Sequence, residues 1–181
     1  TAVPVPSFAV SAHDLQVQKV FFKPPRTSES LAGTYPFVVR LRSLETGEVR
    51  QVQGVLQIRA YHSVSMEILP KKGVFGPWRR QNVFRATIIN LGNCQESLQL
   101  FGSDPEDALI YDVPAEQVTI APGQQREILI GVTPVQRRAL ANPRLHGFQM
   151  SARSVETPSV YCAAQGQLEH RPAISPGNFI L

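Results

Sequence analysis

The 181 residues are 43% hydrophobic and 18% charged, with 18 Lys and Arg against 14 Asp and Glu. That supplies a packed core and excludes a wholly disordered chain, and a net charge of +4 lies below the charge density of a dedicated nucleic-acid binder. No apolar run approaches the roughly 18 residues of a membrane-spanning helix, so no transmembrane segment is expected.

Along the chain, the opening ten residues lack the basic start and long apolar stretch of a signal peptide. The first residue is Thr1 and not Met, so the chain reads as processed or begun internally, and any targeting information is out of view. Strand patterns then dominate. Residues 37–42 alternate and are rich in β-branched and aromatic side chains. Residues 48–61 repeat the pattern, with Val49, Val52, Val55, Leu56 and Ile58 set between polar neighbours. Further strands are expected at 64–69, 83–89, 97–101, 109–113, 126–132, 146–152 and 159–168. Turn signals separate them at Thr46-Gly47, Gly76-Pro77, Leu91-Gly92-Asn93, Pro122-Gly123 and Asn142-Pro143. The segment 135–141 reads as loop, with one helical turn as the alternative. Short strands with turns between them predict an all-β, immunoglobulin-like β-sandwich.

An internal repeat sharpens this. Tyr35-Pro36-Phe37 lies against His146-Gly147-Phe148, and Arg42-Ser43-Leu44-Glu45-Thr46 against Arg153-Ser154-Val155-Glu156-Thr157. With a one-residue shift, Gly54-Val55-Leu56 meets Gly166-Gln167-Leu168. An offset of about 111 residues suits a repeated domain and is too long for a solenoid unit. The second copy has residues 64–126 ahead of it, and the first has fewer than about 20. The expected organisation is a partial module at 1–63, a complete sandwich at 64–172 and a tail at 173–181. Half a sandwich exposes an apolar face and unpaired edges. The missing strands would come from upstream chain, from another chain by strand addition, or from residues 1–18 folding back.

The run Asn90-Leu91-Gly92-Asn93, then Leu98-Gln99-Leu100, then Ala121-Pro122-Gly123-Gln124 resembles a group of bacterial tandem immunoglobulin-like modules. These are related to the sandwich domain associated with α-galactosidases (NEW3-like). The first copy fits only the second half of that pattern, at Pro24-Pro25-Arg26 and residues 32–37. The resemblance implies accessory or surface modules without catalytic residues, and mildly favours an extracytoplasmic or membrane-associated setting.

No enzyme chemistry emerges. His13, His62, His146 and His170 sit at no ligand spacing from one another or from a cysteine, so no metal site and no cofactor are expected. Cys94 reads as a turn residue with no neighbouring base, and Cys162 as a small core residue. Asp104, Glu106 and Asp107 lack the spacing of a calcium loop and read as a turn. The Asn90–Asn93 run reads as a turn with Gly92 or Asn93 left-handed.

The basic residues carry the binding expectation. Lys71, Lys72, Trp78, Arg79 and Arg80 are expected in one loop, and Arg137, Arg138 and Arg144 in another at the same end of the second module. They would meet a protein partner with an acidic surface, with Trp78 and the arginines as anchors. The apolar tip Phe179-Ile180-Leu181 would dock on a partner as well. The expected function is a non-catalytic accessory subunit that binds protein partners through the partial module, this basic end and the tail. The alternative is a carbohydrate- or envelope-binding module, which needs a shared face of exposed aromatics from Trp78, Tyr61, Tyr111 and Tyr161.

Overall fold

Successive side chains on an extended backbone point to opposite faces, so alternation in sequence becomes a buried face and a wet one. The strand Asn82–Asn90 shows this in full, with Phe84, Ala86 and Ile88 buried while Val83 and Arg85 face water. The computed structural model describes residues 7–136 and 142–173, and among them it has strands and no helix. Hence none of its described residues forms a helix long and apolar enough to cross a membrane.

β1 (Gly33–Arg42) and β2 (Val49–Ile58) form a two-stranded antiparallel sheet of their own. The rest is a sandwich. One layer joins β3 (Val64–Leu69), β5 (Asn82–Asn90), β9 (Gln125–Pro134) and β7 (Leu109–Asp112), in the order β3-β5-β9-β7. The other joins β4 (Lys72–Phe75), β11 (Tyr161–His170), β10 (Arg144–Ser154), β6 (Glu96–Ser103) and β8 (Gln117–Ile120), in the order β4-β11-β10-β6-β8. This is an immunoglobulin-like β-sandwich, one complete module preceded by a partial one.

β4 and β8 were not expected from the sequence. Both arise where the chain changes layers. Pro70 has no N–H to continue the β3 ladder, and the chain crosses to run parallel with β11 as β4. After β7 it crosses again, and β8 pairs with β6. Four residues are too few to display an alternation. Of the expected loop at 135–141, residues 135 and 136 have no regular structure and the rest lie outside the described residues.

The core lies between the two layers. Phe84, Ile88 and Ile130 come from one, and Leu98, Met150 and Leu168 from the other, all fully buried. Cys162 belongs to this core, as expected. Among the described residues, nothing before Ile68 is buried.

That contrast matters because β1–β2 and β10–β11 share their detail. Phe37 pairs with Gly54 across the first hairpin, and Phe148 with Gly166 across the second. In each, the ring lies on the glycine so closely that a Cβ there would sit 2.4 Å from the ring's Cζ. The turns match as well. The Ser43 hydroxyl accepts from the Thr46 N–H at 3.1 Å, and the Ser154 hydroxyl from the Thr157 N–H at 3.2 Å. The Ser43 N–H donates to the Glu48 carbonyl at 2.8 Å, and the Ser154 N–H to the Val160 carbonyl at 2.9 Å. The difference is cover: Ala164 is 8% exposed while Val52 at the matching place is 60% exposed, and Ala152 is 0% exposed against 46% for Leu41.

The matched leucines test this. Leu168→Ala removes a fully buried side chain and is expected to cost about 2–5 kcal/mol of unfolding free energy. Leu56→Ala, at the half-buried counterpart, should cost about 1 kcal/mol or less. Denaturant unfolding of the two variants measures the difference.

Candidate partner-binding surfaces

The first candidate surface is the face of β1–β2 that carries Tyr35, Phe37, Val39 and Leu41, with Val52, Leu56 and Ile58 opposite. Strand parity puts these on one side. Phe22 covers part of it, its ring 4.4 Å from that of Phe37. A groove of ≈ 400 Å³ lies between Phe22, Pro24, Pro25, Tyr35, Phe37 and Leu56.

At the end of the sandwich nearest this hairpin, Asn93 ties the two together. Its side-chain oxygen accepts from the Tyr61 N–H at 2.7 Å, and its amide nitrogen donates to the Ser30 carbonyl at 2.8 Å and the Arg59 carbonyl at 3.1 Å. Its own carbonyl accepts from the Ala32 N–H at 3.0 Å. The Arg26 guanidinium stacks over the Tyr61 ring, 4.6 Å from its centroid. The turn expected at Asn90–Asn93 is present, but neither Gly92 nor Asn93 is left-handed. Glycine is needed at 92 for a different reason: a Cβ there would meet the Tyr61 carbonyl oxygen at 2.5 Å. A left-handed glycine lies in the turn packed beside it, where Gly123 has φ 71° and its N–H donates to the Asn90 carbonyl at 2.8 Å.

The same junction holds a cluster that sequence spacing did not reveal. His62 Nδ1, Cys94 Sγ and a Glu96 carboxylate oxygen lie within 4.8 Å of one another. His62 comes from the β2–β3 link, and Cys94 and Glu96 from the β5–β6 turn and the start of β6. The pairing of β3 with β5 folds one connection against the other. Cys94 therefore has a base beside it, contrary to expectation, with Sγ 3.4 Å from His62 Nδ1. Burial, then the neighbouring Glu96 carboxylate, push the Cys94 thiol's pKa up, the opposite of an activated nucleophile. Among the described residues, no motif in the sequence links these three positions.

The opposite end gathers the loops at 76–81 and 104–108, together with residues 135, 136, 142 and 143. Trp78 is 94% exposed there, flanked by exposed Arg79 and Arg80. Lys71 and Lys72 are not in that loop. Lys72 opens β4 at the sheet edge and its Nζ lies 2.7 Å from Glu169, and the Lys71 carbonyl accepts from the Gln167 N–H at 2.9 Å. The correction follows from the layer crossing at Pro70, which draws the lysines into a ladder. Hydrogen bonds from Arg171 and Lys72 hold the Glu169 carboxyl down at about 2. Arg144 lies at this end but pairs with Glu106 at 3.3 Å, so the acidic turn offsets part of the basic charge. Asp104 in that turn accepts from the Ala108 N–H at 2.7 Å and from the Tyr111 hydroxyl at 3.1 Å. It caps the turn expected at Asp104, Glu106 and Asp107. Arg137, Arg138, Phe179, Ile180 and Leu181 lie outside the described residues.

The aromatic residues required for a sugar-binding face do not share one. Trp78 stands at the far end, and Tyr161 opens β11 at the hairpin end. The Tyr61 hydroxyl donates to the Leu91 carbonyl at 2.9 Å, and Tyr111 packs on Phe148 with ring centroids 6.0 Å apart.

No family model matches the chain, and no curated protein matches it. Among solved structures it is similar to the YadV chaperone, at 12% identity over 59% of this chain and 51% of that one, TM-score 0.42. It is similar to the E. coli chaperone DraB at 13% identity over 62% of this chain and 57% of that one, TM-score 0.42. A FixG-related protein from Vibrio parahaemolyticus matches at 10% identity over 76% of this chain and 96% of that one, TM-score 0.42. The chain thus spans 51% and 57% of the lengths of the two chaperones.

Two measurements check this end of the molecule. The single tryptophan is solvated in the folded state, so its emission should be that of hydrated indole and shift little on unfolding. Unfolding should instead be visible by circular dichroism. His170 is buried against Phe75 with ring centroids 5.8 Å apart. Burial, and then nearby His146, hold its pKa below the ordinary 6.5. The unfolded imidazole therefore takes up its proton first as pH falls, and the stability held at neutral pH is lost from about pH 6.5 downward through the lower folded value. Melting temperatures between about pH 7 and 5 should fall, and His170→Phe should shrink that fall.

Proposed function

We propose that this chain is a non-catalytic, protein-binding accessory module of tandem immunoglobulin-like architecture, whose first unit is completed by β-strands of a partner polypeptide. One observation carries the reading: the same hairpin occurs twice with the same ring-on-glycine lock and the same serine-capped turn, and only one copy is covered. The covered copy indicates what the open one needs. β10–β11 is buried by the facing layer and by β6 at its edge. The open hairpin presents an apolar face of matching residues and free edges, the arrangement to which extended segments add by backbone pairing. The tandem plan agrees with the bacterial modules that the Asn90–Asn93 and Pro122-Gly123 motifs resemble. The loop around Trp78 is a second contact, suited to an acidic protein surface through its exposed indole and arginines.

Hydrogen exchange on the isolated chain tests the reading. Amides of β1 and β2 should exchange far faster than those of β10 and β11, whose environment differs only by cover. Equal protection of both hairpins in a monomeric sample would show that the first needs no occupant and would sink the proposal. Self-association of the wild-type chain in sedimentation, relieved by Leu41→Lys with Val52→Lys, would place the stickiness on the open face.

A further inference from the structure

His62, Cys94 and Glu96 bring an imidazole nitrogen, a sulfur and a carboxylate oxygen to one point. We propose that they form a binding site for a borderline-soft divalent transition metal, with zinc as its occupant. The Cys94 Sγ lies 3.4 Å from His62 Nδ1 and 3.7 Å from Glu96 Oε1, and His62 Nδ1 is itself in hydrogen-bond contact with Glu96 Oε1. A tetrahedral zinc ion with bonds of about 2.0–2.3 Å has ligand–ligand edges of roughly 3.3–3.8 Å. The two sulfur distances already match those edges, and the imidazole–carboxylate pair separates to admit the ion.

The donor set selects the metal class. Nitrogen and sulfur ligands suit zinc and its neighbours, whereas calcium and magnesium require oxygen ligands. The same His62 nitrogen faces both the thiol and the carboxylate. A nucleophile–base–orienter relay needs the two ring nitrogens divided between partners, whereas a metal site needs what is seen, atoms converging on one position.

The supports are built as for a ligand site. Glu96 is 2% exposed, and its second oxygen accepts from the Ser154 hydroxyl at 3.0 Å. Asn90 fixes the Cys94 backbone, its amide donating to the Cys94 carbonyl at 2.8 Å and to the Ile120 carbonyl at 3.0 Å. Such outer contacts orient ligands in metal sites. His62 and Cys94 are partly exposed, which leaves an entry path and a fourth position for water or a partner's side chain. The ion would fasten the link that follows the first hairpin to the sandwich.

The test uses the full chain, reduced and freed of metal. Zn²⁺ titrated by calorimetry should bind at a single equivalent and raise the melting temperature, with Ca²⁺ doing neither. Co²⁺ in its place should give a thiolate-to-metal charge-transfer band. Cys94→Ser should abolish that band although Cys162 remains, and His62→Ala should weaken Zn²⁺ binding by about ten-fold or more. Both residues are partly exposed, so unchanged melting of the metal-free variants confirms intact folding. Absence of Zn²⁺ binding would overturn the proposal, leaving the cluster a histidine–carboxylate contact beside a thiol. Binding that survives both substitutions, or a Co²⁺ spectrum without the thiolate band, would overturn it by placing the ion elsewhere, such as near His146 and His170. Ca²⁺ binding as tight as Zn²⁺ would overturn the assigned metal class.

Discussion

Asn93 ties the first hairpin to the sandwich. One short amide reaches the segment before β1, the segment after β2 and the link into β3, and its carbonyl receives a further N–H from Ala32. A buried amide so fully engaged is costly to replace, because any shorter or apolar side chain leaves several backbone groups unpaired. It fixes where the hairpin leaves the sandwich. It also fixes the turn that sets Cys94 opposite His62. The place where the hairpin leaves and the three-residue cluster therefore share one junction.

The second constraint is area. A two-stranded hairpin has one apolar face and nothing of its own to set against it, and isolated pairs of strands are marginal in water. In β10–β11 the facing layer supplies the cover, and Phe148 is locked between Gly166 beneath it and Phe84 edge-on at 4.9 Å. In β1–β2, Phe22 plays a reduced version of that part against Phe37. The chemistry of the two hairpins is nearly the same, and what distinguishes them is company.

Much of the fold was legible because strands announce themselves by period. Residues 146–152 alternate clearly, residues 83–89 and 126–132 are rich in β-branched side chains, and all three are central strands. The repeat was legible because Arg-Ser-x-Glu-Thr encodes a turn whose serine hydroxyl accepts the N–H of the threonine, and such local bonds need nothing distant. What escaped was what depends on crossings. Lys72 joined a strand because Pro70 ends one ladder beside the free edge of β11. The glycine at 92 serves close approach and not handedness, since the Tyr61 carbonyl that crowds it is 31 positions away in sequence. His62 and Cys94 stand 32 positions apart and meet through strand pairing, which a spacing rule does not register.

The parallel pairing of β4 with β11 has a mechanical meaning. β4 runs from the hairpin end toward the far end, and so does β11. Tension applied between the link at residue 62 and the chain after His170 pulls these two strands past each other along their length. Their bonds, together with those from Gln167 to Lys71 and from Arg171 to Phe75, take the strain side by side and must give way together. An antiparallel terminal pair pulled from one end would open bond by bond. The sandwich is thus clamped along the axis on which a string of such modules would be stretched.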